Sequence, residues 1–230
     1  GGNTGISIGG WDAERKPFIY VDFTCGAWGA RPWADGLDGN SHMFANMASH
    51  SVEVTEAEQP IQLLAYEFVP DKAGAGKFRG GVPFRRDYRF LEEECTLQVR
   101  SDRRVHRPFG LYGGSPGAPS ENTLNPGGEA EPLPSKLTMT IRSGEVFRHV
   151  LAGGGGWGDP LERDPALVLR DVRNELLSVA RAASDYGVVI ETGAVDIAAT
   201  DRLRTELHKR RGWQAPPKVQ RTDPLPWAAE

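Results

Sequence analysis

The stretch GGGGWGDPLERDP, residues 153–165, contains four consecutive glycines, a tryptophan, a fifth glycine and then the start of a helical pattern. The Asp-Pro pair at its end is typical of a helix N-cap followed by proline at the first helical position. Val168, Val172 and Leu176 continue the pattern as an apolar stripe at helical spacing. This stretch therefore marks the junction between two differently built parts of the chain.

The part before the junction is rich in β-strand signals. Apolar and β-branched residues bounded by turn formers predict strands at 16–24 and 60–70. Residues 83–102 predict two antiparallel strands joined at Glu92–Glu94 as a hairpin, and residues 135–153 predict another strand pair. We therefore expect an α+β fold with a mostly antiparallel β body.

The chain divides into three parts on this pattern. The β-rich body covers residues 1–152, and the glycine-rich junction with a small helical region covers residues 153–212. Within that region two further helices are predicted, at 178–187 and 196–212. Residues 213–230 are proline-rich and are predicted to form an extended tail that lies on another surface.

Composition excludes several classes of protein. The 230 residues carry a net charge of −4 with scattered basic residues, which argues against nucleic-acid binding. No apolar run approaches the ~20 residues that span a bilayer. Cys25 and Cys95 lack a partner at metal-ligand spacing and are expected to be reduced thiols in a cytoplasmic protein. The opening GGNTGISIGG, without methionine, suggests a processed chain, a fragment or a part of a longer polypeptide.

The glycine runs do not fit nucleotide-binding loops. A phosphate loop needs Lys followed by Ser or Thr after its glycines, whereas Gly153–Gly158 is followed by Asp159 and Pro160. In the second run, Gly74–Lys77, Phe78 stands where the hydroxyl is required. Neither loop is therefore predicted to bind a nucleotide.

A weak metal-site signal lies before both runs. Asp38 and His42 are four residues apart, and His50 with Glu53 and Glu56 follows. Carboxylates and imidazoles together can hold a divalent metal. The same residues can serve as caps and hydrogen-bonding groups in a crowded loop, which is the favoured interpretation. No metal site is therefore assigned within this chain.

A cluster of basic residues occupies RSDRRVHRPFG, residues 100–110. Such a cluster can clamp a carboxylate or phosphate, or it can pair with the acidic run Glu92–Glu94 on the surface. No Ser-His-Asp or Cys-His arrangement accompanies it. The basic members are Arg100, Arg103, Arg104, His106 and Arg107.

Seven segments, in order, resemble the hydantoinase B/oxoprolinase family. The resemblance covers residues 1–212 and includes the B-type subunits of N-methylhydantoinase and 5-oxoprolinase, with related subunits of acetone and acetophenone carboxylases. It makes the glycine run a family feature with a role in backbone geometry. The segments are GGNTGISIGG, GARPWADGLDG, EVTEAEQP, GAGKFRGG, SDRRVHRPFGLYGGSPG, LAGGGGWGDPLERDP and DYGVVI.

The resemblance implies a function in a complex. Family members work with an A-type, ATPase-like subunit that phosphorylates the substrate, after which the B-type subunit completes ring opening or, in one branch, carboxylation. This chain would then be the C-terminal part of a B-type subunit of an ATP-dependent cyclic amide hydrolase, inactive alone. Its partners would be the A-type subunit, a chain carrying the N-terminal half of the B-type subunit, and a small-molecule substrate. The alternatives are part of a ketone carboxylase and a non-catalytic assembly module.

The resemblance also implies which residues line a shared cavity or an interface between chains, although each can equally form a buried structural ion pair. The family's metal ligands lie in the N-terminal half that this chain lacks, so ATP and a divalent metal are expected elsewhere in the complex and no catalytic residue is assigned. Ser49-His50-Ser51 stands where the family pattern has Asn-x-Pro. The cavity or interface candidates are Arg31, Asp35, Glu53, Glu56, Arg79, Arg100 and Arg103.

Overall fold

The structure, a computed structural model, describes residues 2–42 and 44–211, and it has the expected α+β fold. The predicted tail, residues 213–230, lies outside the described residues. No helix in the described part of the chain is long and apolar enough to cross a membrane. The strands are β1 (Thr4–Trp11), β2 (Pro17–Thr24), β3 (Ile61–Phe68), β4 (Phe84–Phe90), β5 (Glu94–Arg100), β6 (Glu121–Leu124), β7 (Glu131–Pro132), β8 (Lys136–Arg142), β9 (Val146–Val150), β10 (Ile190–Glu191) and β11 (Ala194–Val195). The α-helices are α1 (Val52–Glu58), α2 (Pro165–Arg173), α3 (Val179–Tyr186) and α4 (Ile197–Arg211).

Two antiparallel sheets form the β body. One has the strand order β2-β1-β5-β8 and the other β3-β4-β9-β6-β7. Apolar side chains from both sheets meet in a single core, as in a β-sandwich, because alternate residues of each strand point inward. Its fully buried members include Ile6, Ile8, Tyr88, Phe90, Leu97, Ile141 and Phe147.

The predicted hairpin at Glu92–Glu94 is wrong. Both strands exist, but β4 pairs with β3 and β9, whereas β5 pairs with β1 and β8 in the other sheet. The strands β8 and β9 are split between the sheets in the same way, at Ser143–Gly144. The two connections lie side by side, and the Gly144 amide donates to the Phe90 carbonyl at 2.8 Å. Both turns are therefore corners between the sheets, which lets each strand bury its apolar face in the shared core.

The glycine-rich opening of the chain forms β1, a central strand that the sequence did not predict. Ile6 and Ile8 point into the core and are fully buried. Gly5 and Gly9 face outward and are partnered across the sheet by Phe23 and Ile19 of β2. Those two side chains lie over the bare backbone of β1, with the Ile19 Cγ1 only 3.3 Å from the position that a Cβ at Gly9 would take.

Beside the sandwich, glycine-rich segments pack together in what we call the glycine bundle. Residues 153–156 lie at its centre and belong to no helix or strand. Their amides donate outward to different neighbours, from Gly153 to Ala118, from Gly154 to Gly81 and from Gly156 to Ser115, at 2.9–3.1 Å. The glycine motifs of the sequence are thereby brought into one structure. The bundle comprises residues 28–30, 36–37, 72–81, 108–118 and 153–157.

The bundle needs glycine because its backbones are in direct contact. A Cβ at Gly154 would lie 1.9 Å from the Trp28 carbonyl oxygen, and a Cβ at Gly155 would lie 1.9 Å from the Phe109 oxygen. Gly153 and Gly156 both face the segment at 72–75. Successive residues therefore face different neighbours with a three-residue repeat, which is the repeat of a polyproline II type helix.

The helical region follows the bundle and has its own small core. Asp164 caps α2 by accepting from the Ala166 amide, and Pro165 occupies the first turn, as predicted. The C-cap of α3 is Gly187 with φ of 62°, which confirms the predicted helix end. The core of this region is formed by Ala75, Val168, Leu177, Ala182, Tyr186 and Val188.

Candidate functional site

Five charged side chains form a network between the glycine bundle and α2. Arg79 donates from both terminal nitrogens to the Asp38 carboxylate, at 2.7 and 3.0 Å. Arg163 donates in the same way to Asp35, at 2.6 and 2.8 Å. Asp171 of α2 lies between the two guanidinium groups, 3.2 Å from Arg79 and 2.7 Å from Arg163. We call these five residues the ionic network.

Local structure fixes each member of the ionic network. Arg163 follows the 3₁₀ turn Pro160–Glu162 and its side chain is fully buried. The Arg79 amide donates to the Asp35 carboxylate at 2.8 Å, so the same aspartate contacts the backbone of one bundle segment and the guanidinium of Arg163. The network therefore ties the loop at 35–38, the bundle and α2 to one another.

The electrostatics of the network favour the ionised forms of Asp35 and Arg79. Burial acts to raise the pKa of the Asp35 carboxyl, but the hydrogen bond and charge of Arg163 outweigh it, and the pKa lies below its usual range. Burial acts against the charge on Arg79, yet Asp38 and Asp171 raise its pKa further. Both arginines are matched by bidentate carboxylates, which is the geometry that holds a buried guanidinium most strongly.

The remaining acidic candidates lie at α1, which the sequence did not predict. The N-cap is Ser51, whose hydroxyl donates to the Glu53 carboxylate at 2.5 Å. Glu56 accepts from the Leu63 amide of β3 at 2.8 Å. These contacts are of the capping and hydrogen-bonding kind that the sequence favours for this loop over metal binding. Arg31 is closer to the network, since it donates to the Asp35 carbonyl oxygen at 3.0 Å.

The weak metal candidates are not brought together. The Asp38 carboxylate is engaged by Arg79 and by the Val82 amide, at 2.7 Å for each of their closest contacts. His42 is exposed and its ring lies 6.5 Å from that of Phe44. Within residues 2–42 and 44–211, no group of three or more His, Cys, Asp or Glu side chains is placed to hold a metal ion.

The arginine cluster does not act as one unit. Arg100 points from β5 to Gln98, its guanidinium donating at 2.7 Å, and Arg107 donates to the Gly117 carbonyl at 2.8 Å. None of the cluster's arginines forms an ion pair with Glu92–Glu94 in the described part of the chain. Arg103 instead borders a cleft of about 210 Å³ against the glycine bundle. The other residues that line this cleft are Gly29, Ala30, Pro108, Phe109, Leu111, Gly155 and Gly156.

A second polar group, between the two sheets, was not predicted from the sequence. Asp22 of β2 accepts hydrogen bonds from Arg86 and, at 2.6 Å, from Tyr88, both of β4. His149 of β9 pairs with Asn122 of β6, its Nδ1 lying 2.6 Å from the amide oxygen. Asp22 lies two residues after Tyr20 in β2 and therefore on the same inward face, and a charged residue at an inward strand position is the signal in the sequence.

Burial shifts the pKa values of His149 and Tyr88 in this second group. Desolvation lowers the pKa of His149 to about 4, and it raises the pKa of Tyr88 well above its ordinary value. Arg86 stacks on the Tyr66 ring with its guanidinium carbon 4.1 Å from the ring centre. The group is thus a polar connection across the sandwich rather than a nucleophile paired with a base.

The comparisons with known proteins agree with the motifs. The sequence profile described as hydantoinase B/oxoprolinase matches residues 1–160. The chain belongs to the hydantoinase B/oxoprolinase family. It is 30% identical over 207 residues to a putative B-type component of a D-/L-hydantoinase from Pseudomonas sp. (strain NS671), covering 88% of this chain and 35% of that protein.

Two further relatives extend the comparison to solved structures. The beta subunit of the caprolactamase from Pseudomonas jessenii is 33% identical over 220 residues, covering 87% of this chain and 37% of the relative. The crystal structure of that ATP-dependent caprolactamase superposes with a TM-score of 0.74 at 28% identity, covering 87% of this chain and 37% of that one.

A nucleotide-free acetone carboxylase structure superposes with a TM-score of 0.80 at 20% identity, covering 93% of this chain and 34% of that one, and this likeness shows the fold alone. The chain spans about a third of the length of these relatives.

Proposed function

We propose that this chain is the C-terminal part of a B-type subunit of an ATP-dependent cyclic amide hydrolase. The observation that carries the proposal is the similarity, over nearly nine-tenths of the chain, to a putative hydantoinase component and to a caprolactamase component. Both names refer to opening of a ring amide. The likeness to acetone carboxylase does not favour carboxylation, because at 20% identity it concerns the fold only.

The proposed partners are an ATP-using A-type subunit, the rest of the B-type region and a small-molecule substrate, in the cytoplasm. Both of these relatives are named as single subunits of larger enzymes, which supports assembly with other chains. The amides of Gly153, Gly154 and Gly156 are used within the bundle, and the Asp38 carboxylate is used by Arg79. These contacts support the proposal that ATP and a divalent metal are held elsewhere in the complex.

One observation favours a second function, that of a non-catalytic assembly module. Asp35 and Arg79, two of the cavity candidates, have their side chains engaged in the ionic network. On this alternative the chain would hold the complex together while neighbouring chains carry out the reaction.

Activity assays on the chain alone and on its native complex test the proposed hydrolase function. The purified 230-residue chain alone is expected to show neither ATPase nor amidase activity, because partners are proposed to supply ATP and metal. Native mass spectrometry of the material from its source should show an A-type subunit together with the whole B-type region, and that complex should hydrolyse lactams or hydantoins with ATP consumption. Turnover by the chain alone would contradict the proposal, and ATP consumption that needs a ketone and bicarbonate would replace it with carboxylation.

A further inference from the structure

We propose that the cleft beside the glycine bundle is a binding site for a small organic anion, with an apolar body against Phe109 and Leu111 and one carboxylate or phosphate on Arg103. Apart from Arg103, every residue that lines the cleft belongs to the glycine bundle. Naming this anion as a substrate-derived group rests on the proposed function, whereas the site itself rests on the geometry below.

The shape of the cleft selects a small ligand. Its volume of about 210 Å³ is below the roughly 300–1,000 Å³ of pockets that hold drug-sized ligands. Gly29, Gly155 and Gly156 line it without side chains, so a ligand can approach the backbone closely. Phe109 and Leu111 pack directly against this glycine backbone, and they are 70% and 48% exposed. This lining fits an apolar body such as a single ring.

The charge of the cleft comes from Arg103. Its neighbours are engaged, since Arg100 donates to Gln98 and Asp102 pairs with Lys136 at 3.4 Å. The Arg103 side chain is exposed and pairs with no carboxylate in the described part of the chain. A guanidinium left without a carboxylate beside an apolar wall is suited to an anionic group of a ligand, because it offers two parallel donors.

Backbone strain provides a second, independent observation. Arg103 has φ of 65° and Tyr112 has φ of 51°, so both ends of the loop that carries Phe109 adopt the left-handed conformation. This conformation costs of order 1 kcal/mol or more for such residues, and it persists only where surrounding contacts enforce it. Here the Ser120 amide donates to the Arg103 carbonyl at 3.2 Å. The fold thus holds Arg103, one of the residues that line the cleft, in a strained conformation.

The test is a ligand-observed NMR titration of the full 230-residue chain with three probes of one shape. The probes are cyclohexanecarboxylate, cyclohexyl phosphate and the uncharged cyclohexanecarboxamide. The variants are Arg103→Asn, which removes the charge but tolerates the left-handed backbone, and Phe109→Ala. Arg100→Asn is the matched control, because Arg100 is an exposed arginine of the same cluster that does not line the cleft. Unfolding temperatures of all four proteins verify that each is folded.

We expect at least one anion to bind with a millimolar or lower Kd and about tenfold more tightly than the amide, as one charge-assisted hydrogen-bonded pair implies. Arg103→Asn should remove that preference, Phe109→Ala should weaken all three probes severalfold, and Arg100→Asn should match the unchanged protein. A preference for phosphate would assign the site to a phosphorylated intermediate, and one for carboxylate to an acid substrate or product.

Binding that is equal for anion and amide, unchanged in Arg103→Asn, or unsaturated in the millimolar range would overturn the site. Failure of the cleft proposal can be distinguished from failure of the proposed function. A complex that hydrolyses cyclic amides while the chain binds neither anion refutes the cleft alone, and anion binding in a complex without amidase activity refutes the proposed function alone.

Discussion

At the scale of single residues, Asp35 contacts two parts of the chain at once, the Arg163 guanidinium and the Arg79 amide. Asp35→Asn leaves Arg163, whose side chain is fully buried, without its bidentate carboxylate. Removing one partner of a buried pair costs about 3 kcal/mol or more, so we expect a loss of that size in the free energy of unfolding. Denaturant titration at neutral pH measures it.

The control for that variant is Glu162→Gln. Glu162 pairs with Lys77 at 3.1 Å, and both side chains are about half exposed. An exposed pair contributes about 0–1 kcal/mol, so Glu162→Gln should change little. If Asp35→Asn were as stable as Glu162→Gln, a structural role for Asp35 would be wrong and the cavity role would remain.

His149 makes the stability of the folded chain depend on pH, and the sign of that dependence follows from its pKa. Its pKa is about 4 in the folded chain against 6.5 ordinarily, because its ring is buried. The unfolded chain therefore binds a proton at a higher pH, and stability falls as pH falls from 6.5 towards 4. The loss is about 3 kcal/mol at a pH of about 4. His149→Gln should lack this part of the acid destabilisation, measured by denaturant unfolding at several pH values. An identical pH profile in both proteins would contradict the buried neutral histidine.

At the scale of elements, we expect the stability of the fold to be unusually sensitive to Gly→Ala substitution within the glycine bundle. A Cβ at Gly154 would lie 1.9 Å from a backbone oxygen that no side-chain rotation can move, whereas a Cβ at Gly128 meets nothing within 4 Å. We expect Gly154→Ala to lose ~4 kcal/mol or more of stability, or not to fold, and Gly128→Ala to stay within ~0.5 kcal/mol. Thermal unfolding and soluble yield of the two variants measure this. Equal stability would show that the bundle can separate.

The elements that the sequence predicted well are those with local causes. The ends of α2 and α3 are set by Asp164, Pro165 and Gly187, each of which acts on its own turn. The strand β1 was missed because glycine has low strand propensity, and its glycines are tolerated only because β2 covers them. The sequence predicts a hairpin at Glu92–Glu94 where the structure has a corner, because alternation shows which face is buried and not which strand is adjacent.

The candidate site was predictable in its residue types but not in its pairings. Arg79 and Asp35 were selected through the family resemblance, and their contact joins residues 44 positions apart. Arg163 and Asp171 complete the ionic network but cannot be singled out in the sequence, because Arg163 reads as an ordinary charge before α2 and Asp171 as an ordinary charge within it. Long-range pairing depends on the bundle, which brings the separated segments together.

At the scale of the whole molecule, the ionic network and the bundle connect the sandwich to the helical region. Arg204 of α4 adds to this connection, since it donates to the Arg163 carbonyl at 2.6 Å. We expect denaturant unfolding to be a single transition, with tryptophan fluorescence and proteolysis of α4 giving the same midpoint. Arg163→Met should separate the two midpoints. Two transitions in the unchanged protein would mean that the parts fold independently.

The glycine bundle has one more consequence, which concerns how order in this protein would be detected. Its central residues belong to no helix or strand, yet their amides donate to neighbouring carbonyls and are buried. Far-ultraviolet circular dichroism counts such segments as irregular. Amide hydrogen exchange reports opening instead, and it should rank Gly153, Gly154 and Gly156 with the slowest core strands. In this chain, the segment that spectroscopy would assign to coil is among the last places where solvent enters.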